Sequence, residues 1–221
     1  MNVLGFDTST AATSACLLLS GGRGVEVLPE TSALGTPPAH TRELMPVIQS
    51  VLERAGLGFA DVDAVAVGVG PGTFTGLRIG IATARALAHA HRLELRPVSS
   101  LRALAEGIDG SLRLPLLDAK RGELFAALYE REAERWAPFV AAPEEVARRV
   151  GAAGIGPVAA GDGSIRFRAV LEAAGVEVEP DGSPAHLVRG LHVCRLGALA
   201  PVRPPEAVLP EYLRVPDARP Q

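Results

Sequence analysis

An unbroken apolar run, Ala64–Val69, feeds straight into Gly70-Pro71-Gly72-Thr73-Phe74-Thr75-Gly76, and a helix-patterned stretch from about Leu77 to His91 follows. A buried strand, a glycine-rich turn and a helix in that order constrain this chain more than any other feature. Backbone N–H groups at such a turn can face an anion. The same glycines also permit a tight turn in which helix and sheet approach closely. Spacing leaves both readings open, but it excludes one nucleotide motif outright. A Walker A loop ends in Gly-Lys-Ser/Thr, and here Leu77 and Arg78 follow Gly76. A dinucleotide fingerprint needs GxGxxG, and both candidate registers meet threonine at the third glycine. Glu94 stands at about the right distance for a ribose contact, so that match is partial.

The helix after the turn carries Gly76, Gly80, Ala84 and Ala88 at i, i+4 spacing, hence on one face. Glycine inside a helix costs roughly 1 kcal/mol relative to alanine. Gly80 therefore implies that another backbone comes close, from the chain's own sheet or from another subunit. An amphipathic helix over Thr41–Ala55 is expected to be its neighbour. Leu44, Ile48, Val51 and Leu52 recur at helical spacing there, and Gly56 stops it.

Strands and helices alternate on both sides of a boundary near residue 104, which points to two α/β lobes. The expected units are 1–104, 105–200 and an extended tail, 201–221, that is rich in proline. Strands are expected at Val3–Phe6, Ser14–Leu19, Leu114–Leu117, Leu124–Tyr129 and Arg135–Phe139. Helices are expected over Ile165–Ala174 and Ala185–Leu199. The formal charge of −3 argues against a free-standing nucleic-acid binder, whose affinity rests on phosphate neutralisation. Two scattered cysteines make neither a disulfide framework nor a CxxC site. The apolar run at the start is too short for a signal peptide, and no run approaches the length of a membrane helix. A cytoplasmic setting is expected.

Asp7-Thr8-Ser9-Thr10, between two strands, resembles the phosphate-facing hairpin of actin-like ATPases, although Thr8 stands where those carry glycine. An Asx-turn is the alternative. Asp118, followed by Lys120 and Arg121, is a candidate for the matching turn of the second lobe. With Gly70, Gly72 and Thr73, these residues form the vestigial nucleotide-loop candidates. The five histidines make no HExxH or HxxxH, and no Ser-His-Asp or Cys-His set is evident. No catalytic residue and no metal ligand is therefore assigned.

Several motifs occur in a fixed order. They are Val3-Leu4-Gly5-Phe6-Asp7-Thr8-Ser9-Thr10, then His40–Ile48, Gly68–Gly80, Val98-Ser99-Ser100-Leu101, Asp118–Glu123 and Pro210–Arg214. Together they resemble the bacterial TsaB (YeaZ) family over the whole chain. The resemblance implies a two-lobed actin-like ATPase fold, each lobe a mixed sheet with flanking helices. It implies a non-catalytic subunit that serves a TsaD-type paralogue, with a TsaE-type ATPase, in making threonylcarbamoyladenosine on tRNA. It implies a heterodimer with that paralogue, a homodimer when the chain is alone, tRNA contact only through the complex, and no membrane. No intrinsic cofactor is implied, with ATP or ADP held weakly or within the complex. TsaD-like proteins carry an HxxxH metal pair where this chain aligns Ser100 and Leu104. The resemblance places the partner interface on the two first-lobe helices. Leu44, Ile48, Val51, Leu52, Gly76, Gly80, Ala84 and Ala88 are expected to form it. A metal-dependent peptidase or a free-standing ATPase of the same superfamily is the alternative.

Overall fold

The computed structural model describes residues 1–214; the end of the expected tail, 215–221, lies outside the described residues. The first sheet is built from β1 (Val3–Asp7), β2 (Ser14–Leu18), β3 (Gly24–Val27), β4 (Ala64–Gly70) and β5 (Glu94–Ser99), in the order β3-β2-β1-β4-β5. Strands β1, β2 and β3 form an antiparallel meander, and β1, β4 and β5 run parallel. The second sheet repeats this plan. It contains β6 (Leu112–Lys120), β7 (Glu123–Glu130), β8 (Ala133–Ala141), β9 (Val158–Ala160) and β10 (Glu177–Val178), in the order β10-β9-β6-β7-β8. Each lobe is thus a three-stranded meander extended by two parallel strands, which is the mixed-sheet, two-lobed architecture expected.

Strand β1 is buried along its whole length because helices cover both faces of the sheet. On the outer face Leu4, Phe6, Leu17, Val65 and Val67 pack under α1 (His40–Ala55) and α2 (Phe74–His91). On the inner face Val3, Cys16, Ala64 and Ala66 join Leu101 and Leu104 of α3 (Ser100–Ala105). Leu117, Phe125 and Tyr129 of the second sheet enter the same cluster, so the lobes share one core. On the far side of the second sheet, Leu114, Leu116, Leu124 and Leu128 pack under Val146 and Val150 of α4 (Pro143–Ala153).

Two expected helices differ from the structure. The segment expected as Ile165–Ala174 divides at Phe167 into α5 (Asp162–Arg166) and α6 (Arg168–Glu172). The Arg168 guanidinium there is turned to the Val178 and Glu179 carbonyls and to Asp181. The last helix, expected from Ala185, begins at Gly190 as α7 (Gly190–Leu199). Before it, Pro184–His186 makes one tight turn, pinned because His186 Nδ1 accepts the Gly161 N–H at 3.0 Å.

Helix α7 follows the second sheet in sequence, yet it packs on the first. A Cβ on Gly190 would stand 2.6 Å from the Ala15 carbonyl carbon and from the Cys16 nitrogen. A Cβ on Gly5 would meet Cys194 Sγ at 2.6 Å. Helix and sheet therefore meet backbone to backbone at both glycines. Gly190→Ala is expected to cost about 1–3 kcal/mol through overpacking, measured as a lowered urea midpoint with an unchanged m-value.

Candidate functional site

Strand β1 ends at Asp7, and the turn that follows folds onto its own strand. The Asp7 carboxylate accepts Ser9 N–H at 2.7 Å, Ser9 Oγ at 2.5 Å and Ser100 Oγ at 2.7 Å. Ser100 in turn accepts the Gly70 N–H at 3.3 Å. Asp7 is 1% exposed. Burial pushes its carboxyl above the usual carboxylate range, against the hydrogen bonds from Ser9 and Ser100 that favour the charged form. His40, at the start of α1, clamps the other end of the turn. Its Nε2 lies 2.9 Å from the Thr10 carbonyl and its Nδ1 2.8 Å from the Thr13 hydroxyl. Burial holds His40 below the usual imidazole range, and its Nε2 donates to the Thr10 carbonyl.

The glycine-rich turn rests directly on this structure. Thr73 N–H donates to the Ser9 carbonyl at 2.8 Å, and Thr8 Oγ1 donates to the Gly76 carbonyl at 2.8 Å. A Cβ on Gly72 would stand 2.5 Å from Ser9 Cβ, and one on Gly76 would collide with the Thr8 carbonyl. The glycines accordingly serve a close approach of helix to sheet. Of the first-lobe loop candidates, Asp7, Thr8, Ser9, Gly70, Gly72 and Thr73 are brought together; Asp7 is bonded by Ser9, and Ser9 by the Thr73 N–H, while the buried Thr73 hydroxyl has no protein partner.

The residues expected at a partner interface lie on the inner faces of the two helices. Leu44, Ile48, Val51, Leu52, Ala84 and Ala88 are all buried between the first lobe's own helices and sheet. Gly76 and Gly80 are also buried, and a Cβ on Gly80 would collide with Thr8 Oγ1. The apolar stripe of each helix faces its own sheet, as an amphipathic helix on a core must. The opposite faces of both helices are the exposed ones.

Asp118 lies in the second lobe and shares a cleft with Gly72 and Thr73 of this cluster. Its carboxylate accepts Lys120 N–H at 2.8 Å, Lys120 Nζ at 3.0 Å and Arg166 Nη1 at 2.8 Å. Burial raises its pKa, and the bonds from Lys120 and Arg166 outweigh that, leaving it below the usual range. Asp162, beneath it, accepts the Asp118 N–H at 2.9 Å. Lys120 and Arg121 adopt left-handed backbone, with φ of 62° and 55°. Arg121-Gly122 is the two-residue turn of the β6–β7 hairpin, for which φ above zero at both positions suits strand twist.

Asp118 and Lys120 line two clefts. One, of about 570 Å3, is shared with Thr31, Ser32, Asp162 and Arg166. The other, of about 270 Å3, is shared with Gly72, Thr73, Glu211 and Tyr212. Asp7 lines neither of these two clefts. Ser100, Asp162 and Glu211 were not read as parts of these sites from sequence. Ser100 had a local signal, as one of two hydroxyls that open a helix. Glu211 falls in the run Pro210–Arg214, and Asp162 has no local signal.

The residues at the positions of a metal pair do not fit a metal. Ser100 is engaged with Asp7 and Gly70, and Leu104 is enclosed in the shared core. Among the described residues, no group of three or more His, Cys, Asp or Glu converges into a metal site.

The family model described as TsaD, tRNA N6-adenosine threonylcarbamoyltransferase, matches residues 12–161. Among solved structures, YeaZ from Pseudomonas aeruginosa is similar at 28% identity and a TM-score of 0.78. That match covers 96% of this chain and 99% of that one. An uncharacterized protein with similarity to peptidase YEAZ, also from Pseudomonas aeruginosa, matches at 29% identity and a TM-score of 0.77 over the same shares. No curated protein matches.

Two outcomes follow from the buried turn. Gly80→Arg is expected to abolish cooperative unfolding, as read by circular dichroism in urea, because the side chain has no space against Thr8. Asp7 has a folded pKa raised above its unfolded value of 3.8. The folded state then holds the extra proton, so this group's contribution is present below pH 3.8 and is lost as pH rises through the folded value. The stability of Asp7→Asn relative to wild type is therefore expected to increase with pH from about 4 upward. Paired urea titrations across that range check it, and a difference that stays flat with pH contradicts it.

Proposed function

The chain belongs to the TsaD family, tRNA N6-adenosine threonylcarbamoyltransferase, and from that membership we propose that it is a non-catalytic subunit of the machinery that places threonylcarbamoyl groups on tRNA adenosine. The observation that carries this reading is the closed first-lobe turn. Asp7 is enclosed by Ser9 and Ser100, and the resemblance aligns Ser100 and Leu104, neither of them a ligand for a transition metal, with the family's metal pair. We read a family member that keeps both lobes but closes this turn with its own side chains as one that acts through a partner. YeaZ-like architecture over nearly the whole chain supports the same assignment.

The partner is a TsaD-type paralogue, with a TsaE-type ATPase joining the complex. A homodimer forms when the paralogue is absent, and tRNA is met only through the assembly. The net charge of −3 fits this, since the chain brings no basic excess of its own to a phosphate backbone. ATP or ADP binds weakly or only within the complex. No helix among the described residues is long and apolar enough to cross a membrane. We place the protein in the cytoplasm, where its two free, buried cysteines remain reduced.

The partner meets the outer faces of α1 and α2. On α2, Thr75, Ala82 and Ala86 are exposed with Ile79 partly so, a stripe of small and apolar side chains without an acid. On α1, Met45 is 45% exposed beside Pro46. Ala86→Arg and Met45→Glu are expected to leave the unfolding transition intact. Each is expected to weaken binding to the TsaD-type protein at least tenfold, measured by calorimetry and size-exclusion chromatography. Full-affinity complexes from both variants would place the interface elsewhere. Transfer to tRNA by the chain alone would overturn the non-catalytic reading.

A further inference from the structure

The segment after α7 leaves the first lobe's parallel edge, crosses the glycine-rich turn and ends on the second lobe. Pro201, Pro204, Pro205 and Pro210 hold it largely extended. Its attachments to the first lobe come in sequence. Arg203 N–H donates to the Leu95 carbonyl at 2.9 Å. The Val208 side chain is buried under α2, and its carbonyl accepts Arg85 Nη2 at 2.5 Å. Glu211 N–H donates to the Val69 carbonyl at 2.7 Å. Gly70, at φ +118°, is what lets the segment pass, because a Cβ there would stand 2.9 Å from the Glu211 carbonyl oxygen.

Beyond Glu211 the segment changes lobes within three residues. Tyr212 stacks on Phe74 at 5.4 Å between ring centroids, and its hydroxyl accepts Arg78 Nε at 3.1 Å. The Arg78 guanidinium lies 3.7 Å over the Phe74 ring. Ring, ring and guanidinium thus make one stack on the first turn of α2. Leu213 packs on the core that the lobes share. Arg214 then donates to the Ala119 carbonyl at 3.3 Å and pairs with Glu123. Ala119 and Glu123 flank the β6–β7 turn that carries Lys120 and Arg121. Glu211, Tyr212, Leu213 and Arg214 form one wall of the 270 Å3 cleft, and the glycine-rich turn and the β6–β7 turn form the others.

We propose that residues 203–214 are a strap, anchored on the first lobe by the Tyr212–Phe74–Arg78 stack, that holds the β6–β7 turn of the second lobe in place and closes the cleft between the two turns. The first-lobe anchors are backbone bonds, a buried valine and the stack, whereas the second-lobe end beyond Leu213 rests on one arginine. Release at Arg214 therefore frees the β6–β7 turn while the rest of the strap stays seated. Loss of the stack at Tyr212 loosens residues 212–214, and with them the β6–β7 turn, while the bonds at Arg203, Val208 and Glu211 remain. The proposal does not depend on the partner reading.

The test is amide hydrogen exchange by mass spectrometry on the full chain and on Tyr212→Ala, Arg214→Ala and Leu209→Ala. Leu209 is 63% exposed on the same segment and serves as the reference. Amides of residues 118–123 are expected to exchange at least tenfold faster in Tyr212→Ala and Arg214→Ala, with α1 and α4 unchanged and Leu209→Ala like wild type. Protection of 118–123 that persists in both variants would overturn the proposal, because the turn would then hold its own position. Exchange that accelerates uniformly across the chain would also overturn it, since the segment would then be part of the general core.

Discussion

The backbone of α2 lies against the β1–β2 turn with no side chain of its own at Gly76 and Gly80, and much of the first lobe depends on that contact. Thr8 faces Gly76 and Gly80, and Ser9 faces Gly72. Glycine's lack of a Cβ is the whole condition for the approach. The approach seats α2 on β4, and the small-residue face of that helix is consumed by the chain's own sheet. The same contact encloses Asp7, whose two carboxylate oxygens are taken by Ser9 and Ser100. A carboxylate so enclosed orders the turn that holds it.

The two lobes share a topology and differ in chemistry. Both sheets set a meander beside two parallel strands, and each meander begins with a strand ending in or near an acid, Asp7 or Asp118. The first acid is buried among hydroxyls and is raised toward its neutral form. The second is met by Lys120 and Arg166 at a cleft and is held in its charged form. Desolvation governs one and ion pairing governs the other. An actin-like plan is thereby retained while the equivalence of its two loops is lost.

The interior between the lobes is held by α3 and α7, and α7 reaches it by returning from the far end of the chain. A chain whose last helix packs on its first sheet ties its ends into one core. The proline-rich segment that follows makes a second crossing on the side of the glycine-rich turn. Connections between the lobes are therefore made on two sides of the shared core.

Much of the secondary structure is legible in the sequence because it rests on short-range pattern. Leu44, Ile48, Val51 and Leu52 mark α1 by their spacing, the apolar run Ala64–Val69 marks β4, and the acids and proline at Pro143-Glu144-Glu145 mark the start of α4. The ordered motifs that resemble the TsaB (YeaZ) family were legible for the same reason, since each is a contiguous run. What spacing left undecided was the direction of the glycine face, toward the chain's own sheet or toward another subunit. That depends on Thr8, 68 residues from Gly76, and the structure places Thr8 against it. The Ser100–Asp7 bond joins residues 93 apart, and Gly190 meets Ala15 and Cys16 across a still longer span. Periodicity reports which side of a helix is apolar or small. Only the tertiary structure decides which backbone fills that side, because the choice is made by long-range packing that no local pattern records.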